Sequence, residues 1–93
     1  MQRGELWLFW GVLAIRTGEY ERARKCLNNS NEIFQELKSR FYQGKVAYQL
    51  GELSRTQQDR RNAQLHYREA ALLFQSVGAK IEEKRANEAR LRI

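Results

Sequence analysis

The sequence predicts an all-α fold: two helix pairs that repeat one pattern, followed by a fifth, closing helix. Three observations predict it. Proline is absent from the 93 residues, and strong helix formers such as Ala, Leu, Glu, Arg, Gln and Lys dominate. Apolar residues recur three and four apart over most of the chain, the period of a helix with one buried face. And the chain repeats itself. The stretch from Trp7 to Ala14 returns forty residues later as Ala47 to Ser54, with a glycine at Gly11 and Gly51 and an alanine twelve positions after each, at Ala23 and Ala63. A fixed period between twenty and fifty residues signals a stacked array of helix hairpins, a solenoid.

The first helix is expected from Gly4 to Arg16, with Trp7, Trp10, Gly11 and Ala14 on one face. Glycine inside a helix costs about 1 kcal/mol against alanine. Its use at both Gly11 and Gly51 predicts that a neighbouring helix approaches closely there. Thr17, Gly18 and Glu19 form the break. The second helix runs from about Tyr20 to Lys38, with a stripe of Tyr20, Ala23, Leu27, Ser30, Phe34 and Leu37. Ser39 is placed to cap the third, about 41–55, which carries Val46, Ala47, Leu50, Gly51 and Leu53. Thr56 and Asp59 have the spacing of a capping box before the fourth helix, about 59–77. Its stripe is Ala63, Tyr67, Ala70, Phe74 and Val77, and Gly78 is placed to end it in the left-handed conformation. Ala79 to Ile93 reads as a more polar fifth helix, with Ile81, Ala86, Ala89 and Ile93 on one side.

Ninety-three residues make one domain at most, and a chain this short buries only about 60–65% of its unfolded surface. Thirty per cent of the residues are charged and the net charge is +6, which admits anionic partners. The basic residues are spread along the chain, although Lys80, Lys84, Arg85, Arg90 and Arg92 gather near the end. A single cysteine, Cys26, cannot close an internal disulfide and fits a reducing compartment, so a cytoplasmic location is expected. The apolar run Leu6–Ile15 is too short to span a bilayer, and Glu5 interrupts the basic flank a signal peptide needs. No glycine-rich phosphate loop, carboxylate pair or metal-ligand cluster stands out, so no enzyme, cofactor or metal is expected.

The repeated pattern resembles the tetratricopeptide repeat. That consensus sets an apolar residue, then leucine, glycine and tyrosine at offsets of three, four and seven, alanine at sixteen, an aromatic at twenty and alanine at twenty-three. From Trp7 the chain has Trp10, Gly11, Ala14, Ala23, Leu27 and Ser30; from Ala47 it has Leu50, Gly51, Ser54, Ala63, Tyr67 and Ala70. The period is forty rather than thirty-four, similar to the longer-helix repeats of bacterial signalling and regulatory proteins. The resemblance implies a right-handed α-solenoid of antiparallel helix pairs. Its repeats would cover about 4–39 and about 40–78, with a capping helix at about 79–93. It implies a non-enzymatic protein-interaction module whose first helices line a concave groove for a peptide or partner helix. Carried over residue by residue, the groove positions include Leu8, Val12 and Ile15 in the first copy. In the second they include Lys45, Tyr48, Glu52 and Arg55. Glu5, Arg16 and Thr56 complete the carried-over set, with Arg85 and Glu88 as candidates near the end.

The first helix carries a second expectation. Leu6, Trp7, Leu8, Phe9, Trp10, Val12, Leu13 and Ile15 point around its whole circumference, and one packing partner cannot cover them all. Either an upstream repeat covers Leu6, Trp7, Phe9 and Trp10 in a parent protein, or two chains self-associate through them. The competing functions are a nucleic-acid binder using the basic C-terminal helix and a structural or oligomerisation segment of a larger regulatory protein. The C-terminal helix lacks the aromatic residues that stack on single-stranded bases.

Overall fold

The computed structural model describes residues 2–93. Five helices follow one another: α1 (Arg3–Arg16), α2 (Tyr20–Glu36), α3 (Arg40–Thr56), α4 (Arg60–Ser76) and α5 (Lys80–Leu91). No strand occurs among the described residues. Each helix packs against the next in the chain, and α1 also touches α3. The Cα atoms fill 31 × 27 × 17 Å, and the short dimension is that of two stacked helices, whose axes lie about 8–10 Å apart. The all-α, repeat-like architecture expected from the forty-residue pattern is what the chain adopts.

One turn is used four times. The residues at positive φ are Gly18 (77°), Lys38 (54°), Gln58 (61°) and Gly78 (72°), spaced by twenty. In each turn the N–H after the left-handed residue donates back five residues: Glu19 to Ala14, Ser39 to Phe34, Asp59 to Ser54 and Ala79 to Phe74. This is the Schellman closure, which satisfies carbonyls left over at a helix end. It forces a reversal after every seventeen or so helical residues, so successive helices run antiparallel. Ser39 then caps α3, with the Tyr42 N–H donating to its hydroxyl at 3.5 Å. Asp59 caps α4, accepting from the Asn62 N–H at 3.2 Å and from the Asn62 amide at 2.6 Å. Those Asn62 bonds hold the exposed Asp59 carboxyl below the usual aspartate range.

The structure departs from the sequence expectation at Thr56, at Leu37 and Val77, and at Ile81. Thr56 is not the cap of α4. It is the last residue of α3, where its hydroxyl donates to the Leu53 carbonyl, and Asp59 itself is the N-cap. Leu37 and Val77 do not extend the buried stripes. They lie beyond the ends of α2 and α4, 53% and 45% exposed, because the left-handed residue that follows each has already begun the turn. Ile81 is 73% exposed, and Ala86 is the buried residue of α5.

The core is built on glycine seats. A Cβ at Gly11 would lie 2.7 Å from Leu27 Cδ2, and one at Gly51 would lie 2.7 Å from the Tyr67 ring. Gly4 and Gly44 do the same for Phe34 and Phe74, at 2.7 and 2.8 Å. Each first helix therefore bares its backbone to two large side chains of its second helix. Leu27, Phe34 and Tyr67 are fully buried as a result and Phe74 nearly so. Such close approach recovers by packing what glycine loses in helix propensity. One cluster joins Ala14, Ala23, Leu27 and Phe34 to Val46 and Leu53; the other joins Ala47, Ala70, Ala71 and Phe74 to Ala86. Thus α3 is shared between the two, and the array is continuous.

Candidate functional site

Helices α1, α3 and α5 are the first members of successive pairs, and a cleft of about 250 Å³ opens across them. Leu8 and Val12 of α1 form one apolar wall, and Lys45, Tyr48 and Gln49 of α3 supply the middle. Glu82 and Arg85 of α5 close the far side, and Phe74 reaches in from α4. The spacing explains the grouping. Leu8 and Val12 are four apart on α1, Lys45, Tyr48 and Gln49 are three and four apart on α3, and Glu82 and Arg85 are three apart on α5, so each set shares one helix face.

The α3 wall is held from behind. The Tyr48 ring lies against that of Tyr67, centroids 5.3 Å apart. The buried Tyr67 hydroxyl donates to Glu52 at 3.0 Å, and Arg55 donates to the other Glu52 oxygen at 2.7 Å. Burial first, and then the Glu52 carboxylate, push the phenols of Tyr67 and Tyr48 above the usual tyrosine range. Both hydroxyls therefore stay protonated at neutral pH. Glu52 in turn holds Arg55 in its charged form. Lys45 Nζ sits 5.3 Å from the Phe41 ring centroid and 6.0 Å from that of Tyr42, distances at which a cation is drawn to an aromatic face. The cleft thus offers aliphatic surface, a neutral phenol and two cations against one carboxylate.

Of the ten groove positions carried over from the repeat pattern, Leu8, Val12, Lys45 and Tyr48 come together in this cleft, and Glu5, Arg16 and Thr56 do not line it. Ile15 does not line it; the side chain packs on the first core cluster. Glu52 is engaged by Tyr67 and Arg55. Arg55 opens instead onto a separate surface cavity of about 700 Å³ with Gln58, Arg60, Arg92 and Ile93. Arg85 lines the cleft, whereas Glu88 is exposed elsewhere on α5. Gln49, Phe74 and Glu82 escaped the sequence reading. Glu82 had a signal available: it lies three residues before Arg85 and on the same helix face.

No family model, curated protein or solved structure matches this chain.

The other candidate residues fall apart in space. Among the cations near the C-terminus, Arg85 faces the cleft and Arg92 faces the cavity beside Arg55. Arg90 is half-buried beside Arg61 and Arg68. Cys26 is buried and unpaired. His66, half-buried on α4, is held below the usual histidine range by burial and, secondarily, by Arg24. Among the described residues no group of three His, Cys, Asp or Glu side chains could hold a metal, and no helix is long and apolar enough to cross a membrane. On α1, Leu6, Phe9, Trp10 and Leu13 are 38–55% exposed. Trp7 is half-buried, edge-on to Trp10 at 5.6 Å.

Proposed function

We propose that the chain is a non-enzymatic protein-interaction module of the tetratricopeptide type. Its α1/α3/α5 cleft takes a peptide segment that presents an apolar side chain beside a carboxylate. The observation that carries this reading is the convergence of Leu8, Val12, Lys45 and Tyr48 with Arg85 around one opening. Leu8 and Val12 suit an aliphatic or aromatic anchor, and Lys45 and Arg85 suit an acidic group. The protonated Tyr48 hydroxyl adds a neutral donor. A cytoplasmic setting belongs to the same proposal, supported by the unpaired thiol of Cys26.

The test is a titration with acidic amphipathic peptides and with scrambled and amidated controls, followed by backbone amide shifts. Shifts concentrated on residues 8–12, 45–49 and 82–85 are expected. Arg85→Ala should weaken binding about tenfold, the loss of one charge-assisted contact, and added salt should weaken it further. Shifts confined to other helices, or binding indifferent to both Arg85→Ala and Tyr48→Ala, would remove this reading.

A further inference from the structure

Beyond the cleft, two hollows lined by arginine flank the end of α5. One, of about 490 Å³, lies between α4 and α5, with Arg61, Arg68 and Arg90 around Gln64, Leu65 and Leu91. The other, of about 700 Å³, gathers Arg55, Arg60 and Arg92 with Gln58 and Ile93. The two are neighbours, because Arg60 and Arg61 are adjacent on α4 and Leu91 and Arg92 are adjacent at the end of α5. Arg61, Leu65 and Arg68 step by four and three, so they form one stripe along α4. No aspartate or glutamate side chain lines either hollow. Among the described residues the ion pairs are Arg22–Glu19 and Arg55–Glu52, so only Arg55 of these arginines has a carboxylate partner.

The repeated scaffold does not ask for these charges. Forty residues earlier, Arg60, Arg61 and Arg68 are Tyr20, Glu21 and Asn28, and Arg90 and Arg92 are Leu50 and Glu52. Leu50 packs on the first core cluster. Arg90 sets a half-buried guanidinium at that position, and its Nε is buried with no hydrogen-bond partner. Nearly all buried polar groups are paired, and an orphan kept where the repeat uses leucine points to a use for the charge. Nor is the α4–α5 groove a seat for another helix. α2 settles on Gly4 and Gly11, and α4 on Gly44 and Gly51; the same places on α5 are Lys84 and Leu91.

Guanidinium forks match the paired oxygens of carboxylate and phosphate, and two adjoining sets of them favour a ligand that repeats its charge. No aromatic residue lines either hollow, so single-stranded bases have nothing to stack on. A duplex carries one phosphate per about 1.7 Å of its axis, a density that engages all the unpaired arginines at once. We propose that this arginine face binds the phosphodiester backbone of a nucleic-acid duplex without reading its sequence. Arg61, Arg68 and Arg90 take phosphates in the α4–α5 groove, and Arg60 and Arg92 take those beyond the helix end. The face shares no residue with the α1/α3/α5 cleft, so the two bind independently.

Fluorescence anisotropy of an arbitrary duplex of about twenty base pairs, with salt varied between about 50 and 200 mM, tests this. The dissociation constant should be about 10–100 μM near physiological salt, and log affinity should fall with log salt at a slope of about −4. Arg61→Gln and Arg68→Gln should each weaken binding about three- to tenfold, whatever the sequence, and reduce the slope by about one. Lys25→Gln, which removes the same charge from α2, should leave the slope unchanged. Arg90→Leu, the repeat's own residue, should weaken binding while urea unfolding shows stability kept or raised. Peptide binding in the cleft should be the same in all four variants. Absence of duplex binding, binding indifferent to Arg61→Gln and Arg68→Gln, or an equal loss in Lys25→Gln would each overturn the proposal. A single strand bound more tightly than the duplex would overturn the duplex, and displacement of the duplex by a lower concentration of acidic or phosphorylated peptide would overturn the nucleic acid. Lost stability with unchanged affinity in Arg90→Leu would remove Arg90 from the face.

Discussion

The hairpins α1–α2 and α3–α4 share a backbone plan and fill it differently. Both seat an aromatic ring on the first glycine, Phe34 on Gly4 and Phe74 on Gly44. At the second seat the first hairpin places Leu27 over Gly11, and the second places Tyr67 over Gly51. Tyr67 carries its hydroxyl through the core to Glu52, whereas Leu27 ends in the core. At the third position the roles reverse. Ser30 donates to the Gly4 carbonyl at 2.7 Å, while its counterpart Ala70 offers only a methyl group. The comparison teaches that the repeat specifies where a helix may approach, and leaves open whether packing or a polar tether secures it. The hairpin tethered through Glu52 is also the one that supplies half of the cleft's lining, Lys45, Tyr48, Gln49 and Phe74.

The largest expected difference is at the second glycine seat. Gly51→Ala should destabilise the chain by about 2–3 kcal/mol, as overpacking of a filled core does. Both Cδ1 and Cε1 of Tyr67 would lie 2.7 Å from the new Cβ, and the ring cannot retreat without breaking its bond to Glu52. Gly11→Ala meets Leu27 at Cδ2 (2.7 Å) and Cγ (2.9 Å), an aliphatic side chain that no polar bond holds in place, and both variants gain about 1 kcal/mol of helix propensity. The net cost of Gly11→Ala should be about 1 kcal/mol. Urea unfolding of both variants measures the gap, and equal costs would show that the tether does not stiffen the second hairpin.

Next is the tether itself. Tyr67→Phe should cost about 1–2 kcal/mol, the range for a hydrogen bond to a charged acceptor that Arg55 and solvent can partly replace. It also carries a pH signature. The folded-state pKa of Tyr67 is raised above the ordinary value of 10.0, by burial and by Glu52. Its contribution is therefore complete below about pH 10 and declines as pH rises from there toward the folded value, because the unfolded chain then gives up the proton more readily. Wild-type stability should fall above pH 10, and Tyr67→Phe should flatten part of that fall. Denaturant midpoints across the alkaline range read it directly, and an unchanged slope would mean that neither burial nor Glu52 shifts the phenol.

The third difference is the serine. Ser30→Ala should cost about 0.5–1.5 kcal/mol, the typical net worth of a buried hydrogen bond. The reverse change, Ala70→Ser, should be close to neutral if the hydroxyl reaches the Gly44 carbonyl as Ser30 reaches that of Gly4. It should cost about 1–3 kcal/mol if the hydroxyl stays unpaired. Thermal or chemical unfolding of the pair therefore tells how faithfully the second hairpin copies the first.

These features were unequally legible in the sequence. Gly11 and Gly51 stood out because a residue unfavourable in a helix recurred at one repeat position, and a close approach is what makes glycine worth its propensity cost. Gly4 and Gly44 also aligned, but near a helix start glycine has an ordinary explanation, and nothing in the pattern pointed to Phe34 and Phe74 above them. The end of α2 was blurred, expected at Lys38 rather than Glu36, because Lys38 gives no turn signal although it adopts positive φ. In the cleft, Leu8, Val12, Lys45 and Tyr48 were readable because position within a repeat sets which helix face they occupy. Phe74 and Glu82 were not, since their place depends on how α4 and α5 cross α3, a packing outcome with no periodic signature. Ile15, Glu52 and Arg55 held the right positions but were drawn off by the nearby core, by Tyr67 and by one another.

The smallest effect belongs to the turns, where the two hairpins are mirror cases. The turn within the first pair uses Gly18, and its counterpart uses Gln58; the turn that leaves the first pair uses Lys38, and its counterpart uses Gly78. A non-glycine residue in the left-handed region carries about 1–2 kcal/mol of steric strain. Glycine removes that strain, but it also adds about 0.4–1 kcal/mol of freedom to the unfolded chain. Lys38→Gly and Gln58→Gly should therefore each stabilise the protein by about 0.5–1 kcal/mol, and Gly18→Ala and Gly78→Ala should each destabilise it by a similar amount. Nothing lies within 4 Å of a Cβ at Gly18 or Gly78, so those alanines test backbone strain against unfolded-chain freedom with no clash added. Matched unfolding curves for the four variants check the sign at each turn. If Lys38→Gly proved destabilising, the lysine side chain would have to hold the turn by contacts beyond its backbone, and the four turns would no longer be interchangeable.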